Sequence, residues 1–147
     1  MKLFQRILVA TDFSPASTPA FEQAVKMAKR DGALLLIAHA YQEPALVELS
    51  NAPARVYEEW DQNLLEGVER RLRPLVEYAR KEGVEARALL LKGFADEAII
   101  EAIEQQGADL IVMGTHGRRG AARLFLGSVA SRVISTAPCP VMTVRSG

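Results

Sequence analysis

Short apolar runs alternate along this chain with longer segments in which apolar residues recur at helical spacing. Five runs have the length and composition of buried strands: residues 6–10, 34–40, 86–91, 109–113 and 141–144. The runs that begin at Leu34 and Leu110 are continuous rather than alternating, which is typical of strands covered on both faces. The pattern therefore predicts strands that are buried between two layers of helices.

Four helices are predicted between these strands. The first carries an alanine stripe from Ala16 to Ala28, with Ser14 as its N-cap, Pro15 in its first turn and Gly32 at its end. A strand, a helix and the next strand then follow in strict alternation. This order predicts an α/β fold, an open parallel sheet with helices on both faces and right-handed crossovers.

The remaining helices differ in regularity. The second follows an apolar stripe over residues 56–79, and Pro74 inside it predicts a bend or a short break. The third is expected at residues 95–106 with Gly107 after it, and the fourth at residues 127–136. Residues 41–55 are predicted as a loop, either a flap over a site or a long connection.

The composition narrows the class of protein. The chain has 147 residues, 49% of them hydrophobic, which is enough for one domain with its own core over residues 1–147. The single cysteine, Cys139, cannot form an internal disulfide, and no apolar stretch has the length of a signal peptide or of a membrane span. We therefore expect a cytoplasmic protein that does not associate with membranes.

Charge is balanced overall but not along the chain. The formal net charge is zero, which argues against a nucleic-acid partner. All acidic residues occur at or before Asp109, whereas five arginines follow it, so that residues 110–147 carry a charge of +5 and the preceding part −5. A local positive field of this size suits a small anion, although a chance asymmetry of the surface would look the same.

A glycine-containing segment follows the fourth predicted strand. Gly114 and Gly117 come at the strand end, and Gly127 with Ser128 opens the next helix. Glycines allow close approach of the backbone to a ligand, and a helix N-terminus offers unpaired N–H groups, so the segment has the features of a phosphate cradle. It matches neither a Walker A loop nor a dinucleotide fingerprint, and turns without ligand function would also explain these glycines.

Over essentially its full length the sequence resembles the universal stress protein family. The family's ATP-binding pattern is Gly, two residues, Gly, nine residues, Gly and a small hydroxyl residue, which Gly114, Gly117, Gly127 and Ser128 match. The opening run from Ile7 and the terminal Ala-Pro-Cys-Pro-Val-Met-Thr-Val-Arg are also similar to the family. The resemblance implies a sheet of order 3-2-1-4-5 in an adenine-nucleotide alpha-hydrolase-like fold.

The resemblance also implies positions for an adenine nucleotide. Asp12 would face the adenosine part, although a role in the turn before the first helix is the alternative. Ala10 would line the same turn, and Ala40 would touch adenine through its backbone. Met113 would pack near the nucleotide. The phosphates would be bound by the backbone N–H groups of the following residues: Gly114, Gly117, Gly127, Ser128 and Val129.

The function implied is the binding of ATP, with or without Mg²⁺, as a regulatory or signalling ligand with little or no hydrolysis. No base and no acidic metal ligand accompany the motif, and we assign neither catalytic nor metal-binding residues; His39 is expected to be a hydrogen-bonded strand residue. A nucleotide-dependent enzyme on the same fold and a nucleotide-independent dimeric interaction module are the alternatives. The resemblance further implies a homodimer that pairs through the strand at residues 141–144.

Overall fold

The computed structural model describes residues 2–42, 54–116 and 126–146 and, for residues 54–61, the backbone alone. Five strands and four α-helices alternate in it. They are β1 (Arg6–Ala10), α1 (Thr18–Asp31), β2 (Leu34–Tyr41), α2 (Ala54–Lys81), β3 (Ala86–Lys92), α3 (Ala95–Gln106), β4 (Leu110–Gly114), α4 (Ser128–Thr136) and β5 (Val141–Val144). The predicted alternation is confirmed in full, and no strand boundary differs from its prediction by more than one residue.

The strands form one parallel sheet of order β3-β2-β1-β4-β5. Ile7, Leu8 and Val9 of the central strand are all fully buried. Ile7 and Val9 pack on one face with residues of α1 and α2, whereas Leu8 packs on the other with residues of α3 and α4. The predicted α/β fold with helices on both faces of an open parallel sheet is therefore confirmed.

The first helix begins differently from the prediction. Pro15–Ser17 form a 3₁₀ turn, and α1 starts only at Thr18. Ser14 precedes the 3₁₀ turn but makes no side-chain capping bond, because its hydroxyl donates to Asp12 instead. The predicted cap at Ser14 is thus wrong in its chemistry, whereas Gly32 does end α1 in the left-handed conformation.

The predicted break at Pro74 is also absent, since α2 is assigned as one continuous helix through this residue. Pro74 is exposed, so the carbonyl group that it leaves without an intrahelical donor is close to solvent on the outer side of the helix. Most of the predicted loop at residues 41–55 lies outside the described residues. Its first residue, Tyr41, belongs to β2, and α2 already includes Arg55.

Two carboxylates hold the N-terminal segment at the amino ends of the strands. Asp31 accepts hydrogen bonds from the backbone N–H groups of Leu3 and Phe4, and Asp109 accepts those of Gln5 and Arg6. Asp109 therefore lies just before β4, whereas the sequence pattern predicted it as the first residue of that strand. The hydrogen bond from Arg30, opposed by burial, lowers the pKa of Asp31, so this carboxylate stays charged at neutral pH.

Candidate functional site

The strand order creates a crevice at the carboxyl ends of β1 and β4. After β1 the chain moves outward through β2 and β3, and it returns to the other side of β1 to form β4. Ligands of open α/β sheets bind where the strand order reverses in this way. The predicted residues Ala10 and Asp12 follow from β1, and Met113 and Gly114 end β4, so both groups lie at the same switch point.

A chain of hydrogen bonds stabilises the turn after β1. The backbone N–H of Phe13 donates to Oγ1 of Thr11 at 3.0 Å, and Oγ of Ser17 donates to the carbonyl of Ser14 at 2.8 Å. The Thr11 and Ser17 hydroxyls are 3.1 Å apart. Because Ser17 already donates its proton, Thr11 is the donor between them. Both side chains are buried, so the turn has one hydrogen-bonding arrangement rather than several.

Asp12 is part of this turn. Its Oδ1 accepts the backbone N–H of Ser14 at 2.9 Å and also the Ser14 hydroxyl. The carboxylate thereby replaces a backbone acceptor, as in an Asx turn. The alternative reading of Asp12 as a turn residue is therefore confirmed. This role orients the half-buried carboxylate at the end of β1, which is compatible with a second role toward a ligand.

Phe13 adopts a backbone conformation that bulky residues rarely occupy. Its φ is +64°, and it is the only non-glycine residue with positive φ in the described part of the chain. The ring stacks on His39 with a centroid distance of 4.4 Å, and the Arg71 guanidinium of α2 lies 4.3 Å from its centroid. These contacts to β2 and α2 compensate for the strained backbone beside Asp12.

His39 connects β2 to the same turn. Its Nδ1 lies 2.8 Å from the carbonyl oxygen of Thr11. Since a carbonyl can only accept, Nδ1 carries the hydrogen and donates it. The predicted role of His39 as a hydrogen-bonded strand residue is thus confirmed.

The strain at Phe13 can be measured with a pair of substitutions. Both Phe13→Ala and Phe13→Gly remove the ring, but only glycine adopts φ of +64° without a steric cost. We expect Phe13→Gly to be more stable than Phe13→Ala by about 1 kcal/mol in urea unfolding. The same pair at Phe21, inside α1, should show the opposite order because glycine disfavours a helix. Equal stabilities of the two Phe13 variants would contradict the assigned backbone conformation.

Gly114 lies in close contact with the backbone after β1. A Cβ atom at this position would be 3.2 Å from the carbonyl oxygen of Ala16 and 3.8 Å from Cα of Ser17. These are backbone atoms of the 3₁₀ turn and cannot rotate away as a side chain can. The absence of a side chain at Gly114 therefore permits the close approach of the two loops that border the crevice.

The N-terminus of α4 is attached directly to the end of β4. The backbone N–H of Gly127 donates to the carbonyl of Thr115 at 2.7 Å, and that of Ser131 donates to the carbonyl of Gly127 at 2.9 Å. The N–H groups of residues 128–130 precede this first helical bond, and Gly127 provides no side-chain cap. The positive end of the α4 dipole thus lies beside β4, where it favours an anion.

An ion pair joins α4 to α3 on the outer face of the sheet. A guanidinium nitrogen of Arg132 lies 2.7 Å from a carboxylate oxygen of Asp96. This hydrogen bond, opposed by burial, lowers the pKa of Asp96 and raises that of Arg132, so both stay charged. The pair contributes to the position of α4, although a bridge with an exposed arginine adds little to the free energy of folding.

Three of the other predicted positions lie on the face of the sheet that α3 and α4 cover. Ala10 packs against this core cluster, Met113 is buried in it, and Val129 of α4 packs against it. Ala40 is the next to last residue of β2, which is the strand that lies beside β1 in the sheet. Ser128 is exposed at the start of α4. Gly117 lies outside the described residues, as do Arg118, Arg119 and Arg123.

Several residues of the crevice were not predicted from the sequence. Thr11, Ser17, Phe13 and Arg71 form or support the turn after β1, but no motif assigns a role to any of them. The hydroxyls of Thr11 and Ser17 could have been suspected, since small hydroxyl residues between a strand and a helix commonly bond to the backbone. The positive φ of Phe13 has no signal in the sequence.

Two further findings concern metals and membranes. In residues 2–42, 54–116 and 126–146, no group of three or more His, Cys, Asp or Glu side chains is placed to hold a metal ion. Within the same part of the chain, no helix has the length and apolar character needed to cross a bilayer.

The fold and the crevice define a doubly wound α/β protein with an anion-compatible helix N-terminus at its switch point. The model of the universal stress protein family matches residues 3–145. The chain is 39% identical over 144 residues to a universal stress protein of Thermus aquaticus, covering 97% of this chain and all of that protein. It is 37% identical over 145 residues to one of Methanocaldococcus jannaschii, covering 97% and 83%.

A solved structure shares the fold as well. A universal stress protein in complex with cAMP superposes with a TM-score of 0.71 at 26% identity, covering 98% of each chain. The cAMP in that structure is bound to the related protein. From the family match and these relatives, the chain belongs to the universal stress protein family.

Proposed function

We propose that this chain is a single universal stress protein domain, acting in the cytoplasm, that binds ATP as a regulatory ligand with little or no hydrolysis. The observation that carries the proposal is the docking of the α4 N-terminus on β4 through Gly127 and Thr115 at 2.7 Å. The N–H groups of residues 128–130, which belong to the first turn of α4, therefore lie beside the switch point of the sheet, in the part of the motif that begins with Gly127.

Three features of the crevice fit an adenine nucleotide. The close packing at Gly114 brings the β1 and β4 loops together, the α4 N-terminus favours phosphate, and Asp12 offers a carboxylate suited to a ribose hydroxyl or an adenine amino group. The related protein that holds cAMP shows that a member of the family with this fold accepts an adenine nucleotide. Ser128, exposed at the helix start, would add a hydroxyl toward phosphate or Mg²⁺.

Slow turnover follows from the chemistry of the residues in the crevice. Phosphoryl transfer needs a positioned nucleophile and strong stabilisation of charge, usually through carboxylate-bound Mg²⁺. Asp12 is the carboxylate that the family resemblance places at the nucleotide. Its Oδ1 already accepts two hydrogen bonds from Ser14, so this oxygen is less available to bind Mg²⁺ or to act as a base. A turnover far below the ~1–100 s⁻¹ of kinases is therefore expected, and a rate in that range would favour an enzyme instead.

Nucleotide binding should be visible as a gain in stability. A ligand at about 100 times its dissociation constant stabilises the native state by about 2.7 kcal/mol, which raises the Tm of a domain of this size by several degrees. We expect this shift with ATP in a thermal scan, and ATP among the small molecules released from the purified protein by heat. GTP is the control for the base. The absence of a shift with ATP, ADP and AMP, with and without Mg²⁺, would exclude the proposal.

The proposed homodimer depends on β5, which lies at the edge of the sheet and pairs only with β4 among the described strands. The backbone N–H of Ile111 donates to the carbonyl of Pro140, and that of Thr115 to Val144. Because the bonding direction alternates along a parallel strand, the backbone groups of Thr143 point to the free edge. An edge with open backbone groups is a template for a second copy of the same strand.

This arrangement allows the edge to be blocked without disturbing the β4 ladder. Thr143→Pro removes an N–H group that points away from β4, and proline is tolerated on the free side of edge strands. We expect Thr143→Pro to be monomeric and Thr143→Ala to be dimeric in light scattering at micromolar concentration. A folded Thr143→Pro dimer, or a monomeric wild type, would contradict pairing through β5.

A further inference from the structure

The side chain of His116 is not explained by the features described so far. It lies two residues after Gly114, at the end of β4, in the stretch between the first two motif glycines. Its Nδ1 is 3.0 Å from Oγ1 of Thr115. Its Nε2 is buried and has no hydrogen-bond partner in the part of the chain that the structure describes. A buried ring nitrogen without a partner is unfavourable by itself, so it calls for a partner that is added later.

The neighbours of His116 limit what that partner can be. The carbonyl of the preceding residue, Thr115, accepts the N–H of Gly127, so His116 directly follows the point at which the α4 N-terminus docks. Thr115 is itself buried, and a Cβ on Gly114 would be 3.6 Å from the carbonyl oxygen of His116. The backbone around His116 is therefore held in place, and the electrostatic environment that the helix end creates favours an anion.

The contact between Nδ1 and the Thr115 hydroxyl is compatible with either neutral tautomer of the ring. When the Thr115 hydroxyl donates to Nδ1, the ring hydrogen of neutral histidine is on Nε2, and Nε2 becomes a donor. A donor next to a helix N-terminus suits a phosphate oxygen, because a hydrogen bond to a charged acceptor is about twice as strong as one to a neutral group. Among the described residues, no group of three or more His, Cys, Asp or Glu side chains is placed to hold a metal ion, and no side chain forms a hydrogen bond with Nε2.

From these observations we infer that Nε2 of His116 donates a hydrogen bond to a phosphate oxygen of the bound adenine nucleotide and helps the protein select phosphorylated ligands over adenosine. The inference rests on the proposed function, since it needs an adenine nucleotide in the crevice. It adds a specificity-determining side chain to a site that otherwise recognises phosphate through backbone N–H groups.

Two substitutions separate the ring nitrogens. The amide of asparagine can occupy the place of Nδ1 and keep the contact with Thr115, but it does not reach the position of Nε2. Glutamine has the length to place its amide N–H near that position. His116→Asn therefore removes the proposed donor, and His116→Gln is the matched control that retains one.

Titration calorimetry with ATP and with adenosine tests the inference. We expect His116→Asn to bind ATP about tenfold or more weakly than the wild type, which corresponds to one lost hydrogen bond to a charged group. The affinity for adenosine should change less than about twofold because adenosine has no phosphate to accept the bond. His116→Gln should recover most of the affinity for ATP, and it is the deciding variant where His116→Asn does not fold.

The outcomes distinguish this inference from the proposed function. Unchanged affinity of His116→Asn for ATP would overturn the inference, and so would equal losses for ATP and adenosine, since a phosphate contact acts on ATP alone. In both cases a wild type that binds ATP would leave the proposed function intact. A wild type that binds neither ligand would overturn the proposed function itself.

Discussion

Gly114→Val is expected to lower the stability of the fold and to abolish the ATP-dependent rise in Tm. The new Cβ would be 3.2 Å from the carbonyl oxygen of Ala16, and the two Cγ atoms of valine would add to this crowding. The carbonyl oxygen of Ala16 and Cα of Ser17, which would be 3.8 Å from the new Cβ, are both backbone atoms, so the loops after β1 and β4 have to separate. Overpacking of this kind costs about 1–3 kcal/mol, or several degrees in Tm.

The loss of binding has the same cause as the loss of stability. Gly114 is the last residue of β4 and is followed directly by Thr115, whose carbonyl accepts the N–H of Gly127. A displaced β4 end therefore shifts the α4 N-terminus relative to Asp12, and the two sides of the crevice no longer fit one ligand. The groups of a binding site have to be held within about 0.5 Å of their productive geometry.

Gly67 is the control for Gly114, because a side chain added at Gly67 would have no backbone atom close to it. It lies inside α2, and a Cβ there would meet only the Arg70 side chain, at 4.0 Å. Gly67→Ala should raise the stability by about 0.5–1 kcal/mol, because alanine favours the helix, and should leave the ATP-dependent shift unchanged. Thermal scans of both variants with and without ATP measure all four values. A Gly114→Val protein that keeps the full ATP shift would contradict the described crevice.

Much of the fold could be predicted because its signals are local. Continuous apolar runs identify strands buried on both faces, and Gly32 and Gly107 end their helices with the left-handed conformation that glycine favours. The carboxylate of Asp109 occurs directly before a run of this kind, and only its contacts with Gln5 and Arg6 show that it precedes the strand. Those contacts span more than 100 residues, so no local pattern reports them.

The candidate site could be predicted less completely, since its details depend on contacts between distant segments. The motif predicts glycines and a helix start, and Gly127 does precede α4. The conformation of Phe13, in contrast, is supported by His39 on β2 and by Arg71 on α2, which the sequence does not relate to each other. Ser14 illustrates the same limit. A serine is equally suited to cap a helix and to donate its hydroxyl to Asp12, so the residue type alone does not predict which of the two it does.

Gly117→Val is expected to remove most of the affinity for ATP while leaving the fold intact. The family pattern requires glycine at this position, where the backbone would approach phosphate closely and a β-branched residue would be strained. Loss of two hydrogen bonds to a charged phosphate would weaken binding by about a hundredfold or more. At an ATP concentration of about 100 times the wild-type dissociation constant, the stabilisation would then fall from about 2.7 to about 0.4 kcal/mol.

Gly120→Val is the matched control, three positions further along the chain. Both glycines lie outside the described residues, so the contrast rests on the motif, which requires Gly117 but accepts any residue at position 120. Gly120→Val should retain most of the ATP-dependent shift in Tm, because the motif does not require the backbone to approach the ligand closely at this position. Equal losses in the two variants would indicate general disruption of the segment and would argue against a specific phosphate cradle. Full ATP binding by Gly117→Val would overturn the assignment of this glycine to the site, whereas a loss confined to Gly117→Val would place the phosphate beside it.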